Sequence, residues 1–516
     1  MPGTHCIAFR SESELTSDCV NKSSKGAPAR GRLFFGFAAW LIACVASVSV
    51  VRAEGPLNII VVMADDHGQW ALGSYGLQQI DTPNIDFLAD RGVLFENAMS
   101  PAPVCSAARA SFHTGKMPSQ HGVHDFLSES PEYDADWLAG ETFLAERLQQ
   151  YGYRTALIGK WHATTDSKPP QPGFDHWLSY DPYKAGWANQ YVHSGPVSFS
   201  SNGEEQSYTG VQARYLTEES IHFIDAESDK PFFISLNFTE PHAPFAGLPE
   251  RLVARYRTAA NEIVRAGAAS DLAERSSHTT TPDDHVEQFA QYLAAITLID
   301  EQVGRLLDAL QGRDLLENTL IVYTADHGLL VGQYGLYGKT NASNPANFYE
   351  ETIRIPMIVH APAAHMRGQQ SRGELVDLID LHATVLDYAS DGEANASEYG
   401  PGRSLRPLLE GKRNTDWRTV QVAERGNLRM ITDGRWKLVR EYLKDAREAP
   451  VDRWYDLTHP FGERHSVDLP DAPVRGRLMT ELESFFSRFD IAEHSGRRIW
   501  EQPPPNARMR EDLAAD

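Results

Sequence analysis

Apolar residues along this chain fall into short continuous runs that end on charged groups. Leu57 to Met63 is unbroken and β-branched, and the carboxylates Asp65 and Asp66 close it. That is the pattern of a strand buried on both faces of a parallel sheet. Arg154–Ile158, Pro231–Phe238, Thr319–Thr324 and Ile355–His360 repeat it. Between these runs the period lengthens to that of a helix. Thr82-Pro83-Asn84 opens one with proline at its first position. Glu141–Tyr151 reads as an amphipathic helix and Phe289–Leu310 as a long helix, and Leu375–Leu386 predicts another. Strands alternating with helices predict an α/β fold with a mostly parallel central sheet flanked by helices. The reactive side chains follow strand ends: Asp65 and Asp66, Lys160 and His162, His242, then Asp326 and His327. Open α/β sheets bind ligands beyond the carboxyl ends of their strands.

Past about residue 390 the texture changes. Ser390–Pro401 is a polar loop, and Val420–Val439 with Trp454–Leu457 gives short alternating strands separated by turns. A helix is predicted near Arg475–Phe489, and a polar tail from Pro503 is expected to fray. This predicts a larger domain over 54–390 and a smaller C-terminal unit over 391–516, an antiparallel β-sheet plus helix. Tyr183–Tyr208 and Leu248–Asp284 read as insertions, the first with aromatic residues Tyr183, Trp187 and Tyr191. No internal repeat is found.

Residues 1–53 read as a targeting segment. Lys22, Lys25, Arg30 and Arg32 precede the apolar run Leu33–Val51, and Val51-Arg52-Ala53 offers a small-residue cleavage site. Cleavage there predicts an exported protein, periplasmic or extracellular. An uncleaved anchor and a lipoprotein site at Leu41-Ile42-Ala43-Cys44 are the other readings of this stretch. The net charge of −22 argues against a nucleic-acid partner. An anionic substrate would need cations gathered at one place. Of four cysteines, three lie in the leader. Cys105 would stand alone in the mature chain, where an odd cysteine marks a reactive or modified thiol, or a small buried hydrophobe.

Two acidic strand ends, Asp65/Asp66 and Asp326 beside His327, are oxygen-rich donors that favour Ca²⁺ or Mg²⁺. Arg109, Lys160 and Lys339 are candidates for gripping a tetrahedral oxyanion. Lys160 and His162 alternate directly after a strand and would share one face. Pro241 and Pro244 flank His242 and would fix its imidazole.

The segment Cys105-Ser106-Ala107-Ala108-Arg109, followed by Ala110-Ser111 and Thr114-Gly115, resembles the Cys-X-Pro-X-Arg element of the formylglycine-dependent type I sulfatases of the alkaline-phosphatase superfamily. NIIVVMADDHG, GKWH at 159–162, EPHAPF at 240–245, TADHG at 324–328 and GKTNASNPANFYEETIRIP at 338–356 follow in family order. The resemblance spans roughly Leu57–Leu386 and departs at Ala107, where the family usually has proline. It implies an alkaline-phosphatase-like sheet and an exported sulfatase. Cys105 would be oxidised to Cα-formylglycine by a maturation enzyme, and the aldehyde hydrate would attack sulfur. Asp65, Asp66, Asp326 and His327 would hold the cation. Arg109 would fix the hydrate, and Lys160 and Lys339 would bind sulfate oxygens. His242 would protonate the leaving alcohol, and His162 would take a proton from the second hydroxyl. The implied substrate is a sulfated carbohydrate cleaved by exo action. The alternative enzyme is a phosphonate monoester or phosphodiester hydrolase of the same superfamily. With Cys105 unmodified, the protein would be a non-catalytic glycan binder.

Overall fold

The structure, a computed structural model, describes residues 56–180, 192–267, 284–362, 370–395, 398–412, 416–459, 462–463, 466–467 and 470–515. The leader, the aromatic residues Tyr183, Trp187 and Tyr191, and residues 268–283 of the second insertion lie outside the described residues.

The first eight strands are β1 (Asn58–Ala64), β2 (Val93–Met99), β3 (Arg154–Gly159), β4 (His176–Tyr180), β5 (Ser194–Ser201), β6 (Glu204–Val211), β7 (Phe232–Asn237) and β8 (Thr319–Ala325), with apolar runs in β1, β3, β7 and β8 and a polar pair in β5 and β6. β9 (Leu330–Val331) and β10 (Tyr337–Gly338) make a small ribbon, and β11 (Met357–His360) and β12 (Gln370–Asp377) return to the large sheet. The order of that sheet is β12-β2-β11-β8-β1-β7-β3-β4-β5-β6. β11 and β5 run against their neighbours, and the remaining strands are mutually parallel.

β1 lies at the centre, and every residue in it is buried. Its register pairs Val62 with both Leu236 and Tyr323, so the ends of β7, β1 and β8 emerge side by side. The hydrophobic runs therefore do two jobs. They bury apolar area, worth roughly 1.5–3 kcal/mol for a fully buried Val, Leu or Ile side chain, and they bring the polar residues after them to one edge.

The helices are α1 (Pro83–Asp90), α2 (Cys105–Thr114), α3 (Leu144–Gln150), α4 (Gln212–Asp225), α5 (Glu250–Gly267), α6 (His285–Gln311) and α7 (Leu378–Ala389). α6 buries Leu293, Ile296, Leu298 and Ile299 in the main core. Its Asp300 accepts the amides of Asn84 and Ile85 at the start of α1, doing from a neighbouring helix what an N-cap side chain does locally. The helix expected over Leu375–Leu386 is displaced. Leu375–Asp377 completes β12 against β2, and Asp377 then caps α7 by accepting from Ile379 N. The amphipathic period carried the prediction past the cap.

A second sheet follows: β13 (Gln421–Arg425), β14 (Leu428–Thr432), β15 (Trp436–Glu441) and β16 (Val451–Asp456), an antiparallel meander. On one face α8 (Ala472–Phe489) packs Leu478, Leu482 and Phe486 against Val422, Ile431, Leu438 and Trp454. The other face packs Ala423, Met430 and Val439 against Met99, Phe348 and Ile353. The expectation of a frayed tail is wrong. Residues Ala507–Ala515 form α9, with Met509 buried. One apolar anchor in a polar stretch and hydrogen bonds to backbone groups hold the tail, a signal too weak for composition to show. Among the described residues no helix is long and apolar enough to cross a membrane.

Candidate functional site

The carboxyl end of the large sheet is where the reactive side chains meet. β1 delivers Asp65 and Asp66, β3 delivers Lys160 and His162, β7 leads to His242, and β8 to Asp326 and His327. β2 leads through a short connection to α2, which begins at Cys105. Close strand packing forces glycine at the end of β3. Gly159 has φ +109°, and a Cβ there would stand 1.9 Å from the Asn237 carbonyl oxygen.

Cys105 is buried at the first position of α2. Amides of a helix's first turn lack intrahelical partners and favour negative charge. Lys339 Nζ lies 2.8 Å from its Sγ, and His327 Nε2 lies 3.2 Å away. Burial alone would push the thiol up. The positive charges of Lys160, Lys339 and His327 outweigh it and hold the thiol well below its usual range. The position is therefore built to keep an anion.

Around it stand Asp65, Asp66 and Asp326, all essentially inaccessible to solvent. Lys160 donates to Asp65 at 2.5 Å and Lys339 to Asp66 at 2.6 Å. Arg109 Nε donates to Asp326 at 3.0 Å, and its Nη1 to the Lys160 carbonyl at 3.1 Å. Burial and Cys105 push Asp65 up, but Lys160, His242 and Arg109 prevail and hold it low. Burial and then Asp65 push Asp326 up to about 6. His327 is raised to about 9, because Asp326 and Cys105 hold its proton against burial.

That imbalance bears on a cation. The ligand atoms of Asp65, Asp66, Cys105 and His242, and those of Asp65, Cys105, Asp326 and His327, form two overlapping groups, each with its atoms within 4.8 Å of one another. Asp65 Oδ1 is buried with no hydrogen-bond partner. Arg109 Nη2, the nearby cation, stands 3.7 Å off, beyond hydrogen-bond range. An unmatched carboxylate oxygen costs free energy, and three carboxylates are a donor set for a hard divalent ion. The residues present fit such an ion.

The two further imidazoles are held by backbone carbonyls. His162 Nε2 donates to Leu127 O at 3.0 Å, which leaves Nδ1 as the ring's acceptor, buried with no hydrogen-bond partner. His242 Nδ1 donates to Ala243 O, and Nε2 lies 3.7 Å from Asp66 Oδ2. The ten residues singled out from the sequence thus stand in one cluster. His113, two turns into α2, does not join it. Its ring packs on Trp161 at 4.6 Å and on Phe112 at 4.9 Å, and burial, then Arg109 and His382, hold its pKa far down.

Sequence reasoning missed the supports. Leu127 receives His162 and donates its own amide to Ser106 Oγ at 2.9 Å. Tyr292 Oη donates to Asp66 O at 3.0 Å and accepts from Gly68 N at 3.1 Å, fixing the turn after β1. Arg425 of β13 pairs with buried Asp125 at 2.5 Å. These are long-range contacts to main-chain groups or between distant segments, and no local pattern announces them.

Residues 57–391 match the Sulfatase family. Residues 332–467 match N-sulphoglucosamine sulphohydrolase, C-terminal. An N-acetylglucosamine-6-O-sulfatase of Bacteroides thetaiotaomicron is 28% identical over 487 residues, spanning 81% of this chain and 82% of its own. A choline-sulfatase of Rhizobium meliloti is 27% identical over 457 residues, 79% of this chain and 84% of its own. A solved structure in complex with its substrate, D-glucosamine-2-N,6-O-disulfate, superposes with a TM-score of 0.71 over 84% of this chain and 98% of that one. At 23% identity this is a likeness of fold.

Proposed function

The chain belongs to the sulfatase family, and on that footing we propose that it is an exported, exo-acting hydrolase of a sulfated carbohydrate whose nucleophile is a formylglycine hydrate made from Cys105. It is a sulfuric ester hydrolase of the alkaline-phosphatase-like fold. The observation that carries the finer reading is the setting of Cys105. It occupies the start of a helix, lies within 3.2 Å of both Lys339 and His327, and faces three buried carboxylates. A structural cysteine needs none of this.

Maturation of Cys105 would put two hydroxyls on one carbon, one to attack sulfur and one to release sulfate. Asp65, Asp66, Asp326 and His327 would hold the cation, Ca²⁺ or Mg²⁺. When bound, it would neutralise sulfate oxygens and polarise the ester. The chain's own residues do the rest. Lys160 and Lys339 hold negative charge at the nucleophile and so lower the repulsion an anionic ester meets. Arg109, locked between Asp326 and the Lys160 carbonyl, orients the first turn of α2. His162, oriented by Leu127, takes a proton at Nδ1. His242, oriented by Ala243, gives one from Nε2 to the departing alcohol.

Cys105 is only 2% exposed, so a sulfate group must enter end-on. That favours a terminal sulfated sugar over an internal one. The carbohydrate class is supported by the names of the glucosamine-sulfate relatives, and export by the leader pattern. The test is sulfate release by the matured enzyme from N-acetylglucosamine-6-sulfate and from choline sulfate, beside Cys105→Ala. The reading requires release from the sugar and none from the variant. Turnover confined to choline sulfate would remove the carbohydrate assignment, and an active Cys105→Ala would remove the nucleophile.

A further inference from the structure

The chain's last segment runs along the edge of the site. Pro505 O accepts from Ser128 N at 2.9 Å. Asn506 is 1% exposed. Its Nδ2 donates to Phe126 O at 2.7 Å, and its Oδ1 accepts from Met509 N at 2.8 Å, so both ends of the amide are engaged. These contacts bracket Leu127, whose carbonyl receives His162 at 3.0 Å and whose amide donates to Ser106 Oγ, next to Cys105. Two residues further, Arg508 Nη2 donates to Asn341 O at 2.5 Å. Asn341 lies in the turn Thr340–Ala342, which Lys339 opens. Ala342 N closes that turn on Lys339 O at 2.9 Å. Buried Met509 anchors the segment, beside Gly426 of the β13–β14 turn. A stretch of four residues therefore grips the main-chain supports of two groups that converge on Cys105.

We propose that Pro505–Arg508 is a positioning strap of the active site, with Pro505 and Asn506 fixing the two peptides on either side of Leu127, whose carbonyl orients His162, and Arg508 fixing the turn that carries Lys339. This rests on the roles proposed above for His162 and Lys339. No strap residue touches substrate; each acts through a backbone carbonyl. The physical reason for an effect is geometric, because a displacement of about 1 Å at a catalytic group can cost about 100-fold in rate. A tail that served only the fold would change stability and leave turnover by the folded enzyme alone.

The experiment uses the full-length, matured, metal-loaded enzyme with 4-nitrophenyl sulfate as a small probe, measuring kcat, KM and the melting temperature. The variants are Arg508→Ala, Arg508→Lys, Asn506→Ala and a chain ending at Gln502. Arg508→Ala is expected to lower kcat by about 10- to 100-fold with KM within about twofold, and Arg508→Lys to recover most of that loss. In a Lys339→Ala background, Arg508→Ala should cost nothing further, since its target is gone. If the shortened chain fails to fold, the point variants carry the test. The strap is overturned if folded Arg508→Ala and Asn506→Ala turn over at the wild-type rate. It is overturned equally if their losses persist undiminished in the Lys339→Ala and His162→Ala backgrounds, or match the loss of folded protein. Wild-type turnover by Lys339→Ala or His162→Ala themselves would instead remove the premise, and with it the strap.

Discussion

Lys339→Met takes one positive charge from beside the nucleophile while keeping most of the side chain's length. The ammonium lies 2.8 Å from Cys105 Sγ and 2.6 Å from Asp66 Oδ1. Two unit charges about 4 Å apart attract by roughly 4 kcal/mol at an effective dielectric of about 20. Pairwise attractions add, so the anion at residue 105 loses this one in full, less some solvent screening of a side chain that is 16% exposed, which leaves on the order of 3 kcal/mol. At about 1.4 kcal/mol per tenfold that is a roughly 100-fold weaker hold on negative charge there. Two assays read it. In protein that has escaped maturation and lost its leader, Cys105 is the sole cysteine, so ultraviolet thiolate absorbance titrates this group alone. The thiol is held low by cations; removing one must move the titration midpoint upward. In matured protein the same substitution should lower kcat about 100- to 1,000-fold, the range for loss of one preorganised donor to a developing anion. An unmoved or lowered midpoint, with Lys160 and His327 intact, would refute the electrostatic account of this site. A shifted midpoint with unchanged kcat would place Lys339 outside the reaction.

Asp326→Asn should carry less divalent metal than the wild type by elemental analysis, and any thermal stabilisation of the wild type by added Ca²⁺ should be lost with it. Equal metal content in the two proteins would exclude Asp326 as a ligand. Burial pushes Glu424 up to about 7 against Arg429 and Ser119, from roughly 4.3 in an unfolded chain. Over that interval the folded state binds the extra proton, so this group's contribution to stability falls as pH rises through about 7. Chemical denaturation of Glu424→Gln should therefore compare more favourably with the wild type above about pH 7 than below about pH 5; the opposite trend would mean that Glu424 is ionised throughout. Rates on a sulfate ester should exceed those on a matched phosphonate monoester, and the reverse order would favour the alternative hydrolase reading.

The central strands and the seven site residues that follow strand ends were legible because one feature encodes both, while Cys105, Arg109 and Lys339 were singled out by the odd cysteine, the candidate cations and the family resemblance. A buried strand must be continuously apolar, so the charged residue that ends it stands out, and the parallel α/β rule says where such ends gather. Asp65, Lys160, His242 and Asp326 were placed by that logic alone. Leu375–Asp377 was misread because an apolar stretch suits either period, and the decisive signal, Asp377 capping on Ile379 N, is a single hydrogen bond. His113 could not be placed from the sequence, since the aromatic shell that claims it comes from Trp161 and Phe174 on distant segments. The tail was illegible for a related reason. Its hold on Phe126, Ser128 and Asn341 is through backbone carbonyls and an amide, which every residue offers and no composition reveals.

The most direct test is peptide mass spectrometry across Ala102–Arg109, with hydrazide capture, on protein from its native export route, run beside sulfate release from N-acetylglucosamine-6-sulfate. The account predicts an aldehyde at position 105, with sulfate release rising in proportion to the fraction converted. Full activity in protein that carries only the unmodified Cys105 thiol would contradict it.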